Sequence, residues 1–277
     1  MGQPLTSGLV DTPLASVREM LTAPTRQSEV RDTLLRGRQE MEVRFGTVPL
    51  ITLRAGEVFG AAGVLNNAIY RLRTGWACEY RELPNCRRAI IDVYLPGDFI
   101  GLGGLFRTRP LENVLALTWV EVATIDGDKV LTELLTSQIN ALYVSWLLVR
   151  RQQRTDHLLT AISSLDARGR VATILLEFYK RLYARKLIAA RTYTMPLTQQ
   201  HIGQYLGLTV VHVNRVLRSL RNDRIVLLEK NSVTILDLER LRKLAQGREM
   251  SSNDRPPVVN QFNSIEDTGF PSPPMGS

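Results

Sequence analysis

Residues 197–223, LTQQHIGQYLGLTVVHVNRVLRSLRND, restrict what this chain can fold into more than any other stretch. The spacing predicts two short helices joined by a sharp turn. Thr198 suits an N-cap, and Ile202 and Leu206 give the first helix an apolar face. Gly203 stands where the two helices must approach closely, Gly207 where the chain must turn with positive φ, and Leu208 fills the corner. Thr209 caps a second helix whose Val213, Val216, Leu217 and Leu220 form the inward stripe. Small and apolar residues at these positions fit the helix-turn-helix template throughout.

The outward face of the second helix follows by elimination. Val211, Asn214, Arg215 and Arg218 project together, with His212 alongside. Arg pairs with guanine O6 and N7, Asn with adenine N6 and N7, and Val touches a thymine methyl, so the face suits a major groove of double-stranded DNA. Base contacts are expected from Val211, His212, Asn214 and Arg215, because the N-terminal half of such a helix reaches base edges. Thr198, Gln199, Thr209 and Arg218 are better placed for phosphate, where they would position without specifying. A merely solvated polar face is the alternative. Beyond it, RIVLLEKNSVTILD reads as two short strands around Asn231-Ser232, a wing with Lys230 at its tip to meet phosphate.

At 277 residues the chain has room for two modest domains and a connector. A net charge of +8 accords with a partner rich in phosphate, although charge alone is equally at home in a basic protein that touches no nucleic acid. Two cysteines, Cys78 and Cys86, make a disulfide framework improbable and a reducing cytoplasm the natural location. The N-terminus lacks a signal-peptide pattern, and no apolar run is long enough to span a membrane. With no metal-ligand cluster, Gly-rich phosphate loop or nucleophile–base set, neither an enzyme nor a bound metal or cofactor is expected.

Residues 1–45 mix Pro, Ser, Thr and charge, with weak helical patterning around Val30 to Leu35, and read as a loosely held extension. Residues 46–128 alternate short apolar runs with glycine, the texture of a β-sandwich or roll whose turns fall at Ala55-Gly56 and Pro96-Gly97-Asp98. Residues 129–163 read as a long helix. Ile139, Leu142, Trp146 and Val149 fall on one seam, which packs either on its own domain or, the preferred reading, on its copy in a homodimer. Arg150, Arg151 and Arg154 follow directly and suggest a solvated continuation. Residues 164–246 hold the winged helix-turn-helix, preceded by a helix with Val171, Ile174, Leu175 and Phe178 at core spacing. Residues 247–277, rich in Pro, Ser, Asn and Asp, are expected to be disordered.

A glycine-punctuated roll, a long seam helix and a terminal winged helix together resemble the cyclic-AMP receptor and fumarate-nitrate regulator superfamily of bacterial transcription factors. The resemblance covers roughly residues 50–245; its most specific pieces are Leu95-Pro96-Gly97-Asp98-Phe99-Ile100-Gly101, Tyr70 to Cys78 and Thr209 to Leu217. It implies an α+β fold: an N-terminal cyclic-nucleotide-binding-like β-roll, a dimerisation helix and a C-terminal winged helix-turn-helix. It further implies a homodimer that binds near-palindromic operators and contacts RNA polymerase.

The sensor departs from the family more than the reader does. Leu102 or Gly103 stands where cyclic-nucleotide binders carry a ribose-binding Glu, and Glu112-Asn113 where they carry Arg-Ser for the cyclic phosphate, so cyclic-AMP control is not expected. A ligand-gated or redox-gated regulator of the same fold is the alternative. Two cysteines cannot supply the four thiolates of an iron-sulfur cluster, and His157, His201 and His212 all lie outside the roll, which rules out an axial haem histidine there. Cys78 and Cys86 flank a hairpin turn through Pro84 and Asn85, most simply as a buried Cys78 and an incidental Cys86. The reading helix carries Val211 where the family pattern has Glu, which implies a different half-site.

Overall fold

A computed structural model describes residues 24–62, 67–84, 87–106 and 112–247. The proposed tail beyond Gly247, residues 1–23 and Cys86 lie outside the described residues. The described residues begin with α1 (Pro24–Gly46) and continue into eight strands: β1 (Leu50–Leu53), β2 (Val58–Gly60), β3 (Ala68–Thr74), β4 (Ala77–Leu83), β5 (Arg87–Tyr94), β6 (Phe99–Ile100), β7 (Asn113–Ala116) and β8 (Val120–Asp126). They form two antiparallel four-stranded sheets, ordered β1-β8-β3-β6 and β2-β7-β4-β5. Gly56 and Gly97 occupy the turns expected for them, with φ of +91° and +96°.

The N-terminal stretch corrects the expectation of a loose extension. From Pro24 it is a 23-residue helix that buries Leu34, Met41 and Phe45 against Phe99, Tyr143 and Val144. A Cβ on Gly37 would stand 2.6 Å from Tyr143 Cβ, so the missing side chain lets α1 lie close to the long helix. Glu42 of α1 also pairs with Arg71 and, at 2.9 Å, with Arg73 of β3. Three buried apolar side chains and the two ion pairs of Glu42 hold the segment down.

The long helix begins later than residue 129, the start expected from the sequence. After α2 (Gly127–Thr136) the chain breaks at Ser137, and α3 runs over Gln138–Ser164. Ser137 serves both helices: its N–H donates to Glu133 O at 2.7 Å, and its Oγ accepts from Asn140 N at 3.2 Å. An extended residue that caps two helices in opposite senses cannot continue either. Arg151 and Arg154 are not solvated as expected. Arg151 pairs with Glu79 and stands 3.4 Å from Asp92, and Arg154 lies 3.5 Å from the same Asp92, so α3 is strapped to the roll.

Helix α4 (Ala167–Ala184) buries Val171, Ile174, Leu175 and Phe178 as their spacing requires. Then follow β9 (Thr192–Thr194), α5 (Gln199–Leu206), α6 (Val210–Asn222), β10 (Val226–Glu229), β11 (Ser232–Ile235) and α7 (Leu238–Gln246). The wing sheet has the order β10-β11-β9, so a third strand joins the two expected from the sequence. One hydrophobic cluster runs without interruption from Trp76, Cys78, Ile90 and Val93 of the roll into Leu175, Ile202, Val213 and Leu220. Trp76 and Phe178 meet edge to face across that boundary, with ring centroids 5.3 Å apart. The roll and the helix-turn-helix therefore share a core.

Candidate nucleic-acid interface

The frame of the reading unit is set by its caps and glycines. Thr198 Oγ1 accepts from His201 N at 3.1 Å, while Thr198 N donates to His201 Nδ1 at 3.4 Å, which closes a reciprocal cap on α5. Helix α5 ends at Gly207, whose φ of +66° is left-handed. A Cβ on Gly203 would stand 2.6 Å from Leu208 O, a clash with backbone that leaves glycine the fitting residue there. Thr209 caps α6 by accepting from His212 N at 3.2 Å. Val213 and Leu220 are fully buried and Val216 nearly so, which fixes the rotation of α6.

That rotation leaves Val211, His212, Arg215 and Arg218 exposed, with Val211 68% accessible. Asn214 is placed differently from the free outward position expected for it. It is half-buried and donates through Nδ2 to Gln199 Oε1 at 3.1 Å. Its Oδ1 and second amide hydrogen remain for another partner, and Gln199 becomes its positioner. The hydroxyls of Thr198 and Thr209 accept cap bonds and retain O–H groups that can donate.

Neither α5 nor α6 has an acidic residue in its first turn, so the partial positive charge of both N-termini is unopposed. No Asp or Glu occurs between Met195 and Asn222, while Arg215, Arg218 and Arg221 recur there at intervals of three. Lys230 is exposed in the two-residue turn between β10 and β11, with φ of +50°. Between α6, the start of α5 and this turn lies a cleft of about 470 Å³ lined by Thr198, Asn214, Arg218, Arg221, Lys230 and Ser232. Arg221 and Ser232 escaped the sequence reading. Arg221 could have been found from its place one turn beyond Arg218, but Ser232 is brought in only by the hairpin.

A cyclic nucleotide-binding domain model matches residues 50–137, and a Crp-like helix-turn-helix domain model matches residues 169–244. The chain belongs to the Crp/Fnr superfamily. It is a transcription regulator with a helix-turn-helix DNA-binding domain, in a superfamily of regulators rather than enzymes. The nitrogen fixation regulation protein FixK of Bradyrhizobium diazoefficiens is 29% identical over 194 residues, covering 69% of this chain and 79% of its own. The transcriptional regulatory protein btr of Bordetella pertussis is 26% identical over 181 residues, covering 64% and 73%. The solved structure of FixK2 from Bradyrhizobium japonicum superposes with a TM-score of 0.64 at 23% identity, covering 72% of this chain and 97% of that one, a likeness of fold.

Against the Crp/Fnr plan, the roll has a cavity of about 680 Å³ facing α3. Its described lining includes the carboxylates Glu79, Glu112 and Asp128 with the guanidinium of Arg151. Arg151 is already held by Glu79, and Glu112 is paired with Arg81. Among the described lining residues, three carboxylates thus stand beside one committed cation. Among the described residues no group of three or more His, Cys, Asp or Glu could hold a metal ion. Nor is any helix among them long and apolar enough to cross a membrane.

The seam residues of this Crp/Fnr chain do share a side of α3. Leu142 is 40% and Val149 54% exposed, while Ile139 and Trp146 are half-buried. Trp146 stacks on Tyr143 at 5.9 Å. The adjoining face, with Asn140, Tyr143 and Val144, is buried in the chain itself. Cys78 is buried in β4 and faces Val93 across the ladder; burial pushes its thiol up to about 12, so it is not a ready thiolate.

Proposed function

We propose that this protein is a homodimeric regulator that reads a near-palindromic operator by laying α6 in the major groove, without a cyclic nucleotide. The observation that carries the reading is the acid-free stretch from Met195 to Asn222 with its exposed arginines beside a buried apolar stripe. In this proposal Val211, His212, Asn214 and Arg215 address base edges, with Asn214 held in place by Gln199. Thr198, Thr209, Arg218, Arg221 and Lys230 take phosphate. Val211 offers a methyl contact where a carboxylate would accept from cytosine, so the half-site differs from one read by Glu.

The dimer forms through Ile139, Leu142, Trp146 and Val149, because Leu142 and Val149 are left exposed by their own chain and Ile139 and Trp146 are only half-covered. The three carboxylates around the roll cavity support independence from cyclic nucleotides. Contact with RNA polymerase, a cytoplasmic location and the division into units 46–128, 129–163 and 164–246 belong to the same proposal.

Selection of bound duplexes from a random pool tests it. The expected result is an inverted repeat with half-sites centred about one helical turn, 10–10.5 bp, or a multiple of it apart. Enrichment of no sequence, or of a single unrepeated half-site, would contradict it.

A further inference from the structure

Asn214 and Gln199, 15 residues apart in the chain, meet across the two helices of the reading unit, where Asn214 Nδ2 donates to Gln199 Oε1 at 3.1 Å. Gln199 opens α5, and Asn214 lies in the N-terminal half of α6. Both side chains are half-buried. The pair rests on a rigid frame. Gly203 brings α5 close to Leu208, Thr198 and Thr209 cap the two helices at these same ends, and the buried Val213 beside Asn214 fixes the rotation of α6. The described lining of the cleft that both residues share holds no carboxylate to compete for either amide. Among the described residues this is the one hydrogen bond of either side chain.

That bond changes which base Asn214 suits. An isolated Asn offers a carbonyl oxygen and two N–H groups. It can accept from adenine N6 while donating to N7, or turn both N–H groups toward guanine N7 and O6. Cytosine presents a donor at N4 and thymine an acceptor at O4, so neither fills both ends of the amide. With one N–H spent on Gln199, the two-donor mode toward guanine is lost, and guanine O6 would face Oδ1, acceptor against acceptor. One acceptor and one donor remain, which is the complement of adenine.

We propose that Gln199 determines specificity without touching a base: by holding one N–H of Asn214 it commits that side chain to adenine in each half-site. The inference rests on the operator reading given above. In this arrangement the N–H that points away from Oδ1 goes to Gln199, so Oδ1 and the N–H beside it face the groove. Gln199 keeps both of its own N–H groups, at the capped end of α5, for a backbone phosphate. A residue outside the reading helix thus ties the placement of the strand to the choice of base.

Selection of bound duplexes from a random pool tests this with the full chain as wild type, Asn214→Ala, Gln199→Leu and Gln199→Glu. Asn214→Ala marks the base pair that Asn214 reads, as the position where preference is lost. Wild type should carry an A·T pair there in both half-sites. Gln199→Leu removes the acceptor and should cut the adenine-over-guanine ratio at that pair roughly tenfold, the scale of one bidentate contact, with the other positions unchanged. Anisotropy titrations of the operator and its adenine-to-guanine variant read the ratio. Gln199→Glu still offers an oxygen to Asn214 and should keep the adenine preference, while its charge weakens binding to every duplex alike. A pair other than A·T at the Asn214 position, an unchanged ratio in Gln199→Leu, or a preference lost equally in Gln199→Glu would each overturn the proposal. So would a loss spread over all positions in Gln199→Leu, the mark of a merely structural role. If wild type enriches no half-site, the operator reading fails and takes this inference with it; an enriched half-site that Gln199→Leu leaves intact sinks this inference alone.

Discussion

The carboxylate of Asp98 in the roll and the guanidinium of Arg185 just past α4 meet at 2.7 Å, with both side chains only 7% exposed. Asp98 also pairs with Arg181, which donates to Val93 O at 3.0 Å, while Arg185 donates to Pro96 O at 2.8 Å. Its Oδ2 accepts from Leu95 N at 2.7 Å as well. The Leu95-Pro96-Gly97-Asp98 turn, legible in the sequence only as a turn, is therefore also the anchor by which the DNA-binding unit is fixed to the roll.

Replacing Asp98 by Asn should leave Arg181 and Arg185 buried without their counter-charge. Breaking a buried pair from one side costs about 3–5 kcal/mol. Urea unfolding of Asp98→Asn should show a loss of that size with an unchanged slope.

The same carboxylate sets a pH dependence. Burial by itself would raise its pKa, but Arg181, Arg185 and Arg154 outweigh burial and hold it well below the usual carboxylate range. A depressed folded pKa contributes stability that is fully present above the unfolded value of about 3.9 and is lost as pH falls toward the folded one. Wild-type protein should lose part of its stability between about pH 5 and pH 2. Asp98→Asn should show a flatter profile over that interval in thermal melts.

Gly203→Ala places a methyl 2.6 Å from Leu208 O, against backbone that cannot swing aside. The two helices must separate to admit it, at a cost of about 1–3 kcal/mol typical of overpacking. The variant should lose DNA affinity beyond what its melting temperature implies, because α6 is displaced. Gly207→Ala, with no contact to make but a φ of +66°, should cost about 1–2 kcal/mol and leave DNA binding by the folded fraction intact.

Leu142→Glu with Val149→Glu puts two charges on the exposed seam of α3 without entering the protein's own core. Sedimentation velocity should show monomers at concentrations where the wild type is dimeric. Dimers that persist unchanged would exclude this face as the interface.

The reading unit was legible because its signals are local. Gly203, Gly207, the threonine caps and the stripe from Val213 to Leu220 lie within a few turns of one another, and each residue type has a steric or hydrogen-bonding reason to be there. The β-roll was legible from its turns and alternation. The N-terminal helix was not, because among its described residues Leu34, Gly37, Met41 and Phe45 alone are buried along a length otherwise rich in Arg and Glu. Their reason for order is Tyr143 and Phe99, far along the chain. The same holds for Arg151, whose partner Glu79 is 72 residues away, and for Asn214, which looks free on a helical projection until folding brings Gln199 to it. Contacts that a period along one helix cannot encode must come from tertiary packing.

The account stands most directly on Arg215 reading base edges while Arg218 holds backbone. Anisotropy titrations of a selected operator and of random duplex over a range of salt concentrations test this with Arg215→Ala and Arg218→Ala. Arg215→Ala should cost about 1–3 kcal/mol on the operator and little on random DNA; Arg218→Ala should weaken both alike and reduce the salt slope by about 1. Full operator preference retained by Arg215→Ala would contradict it.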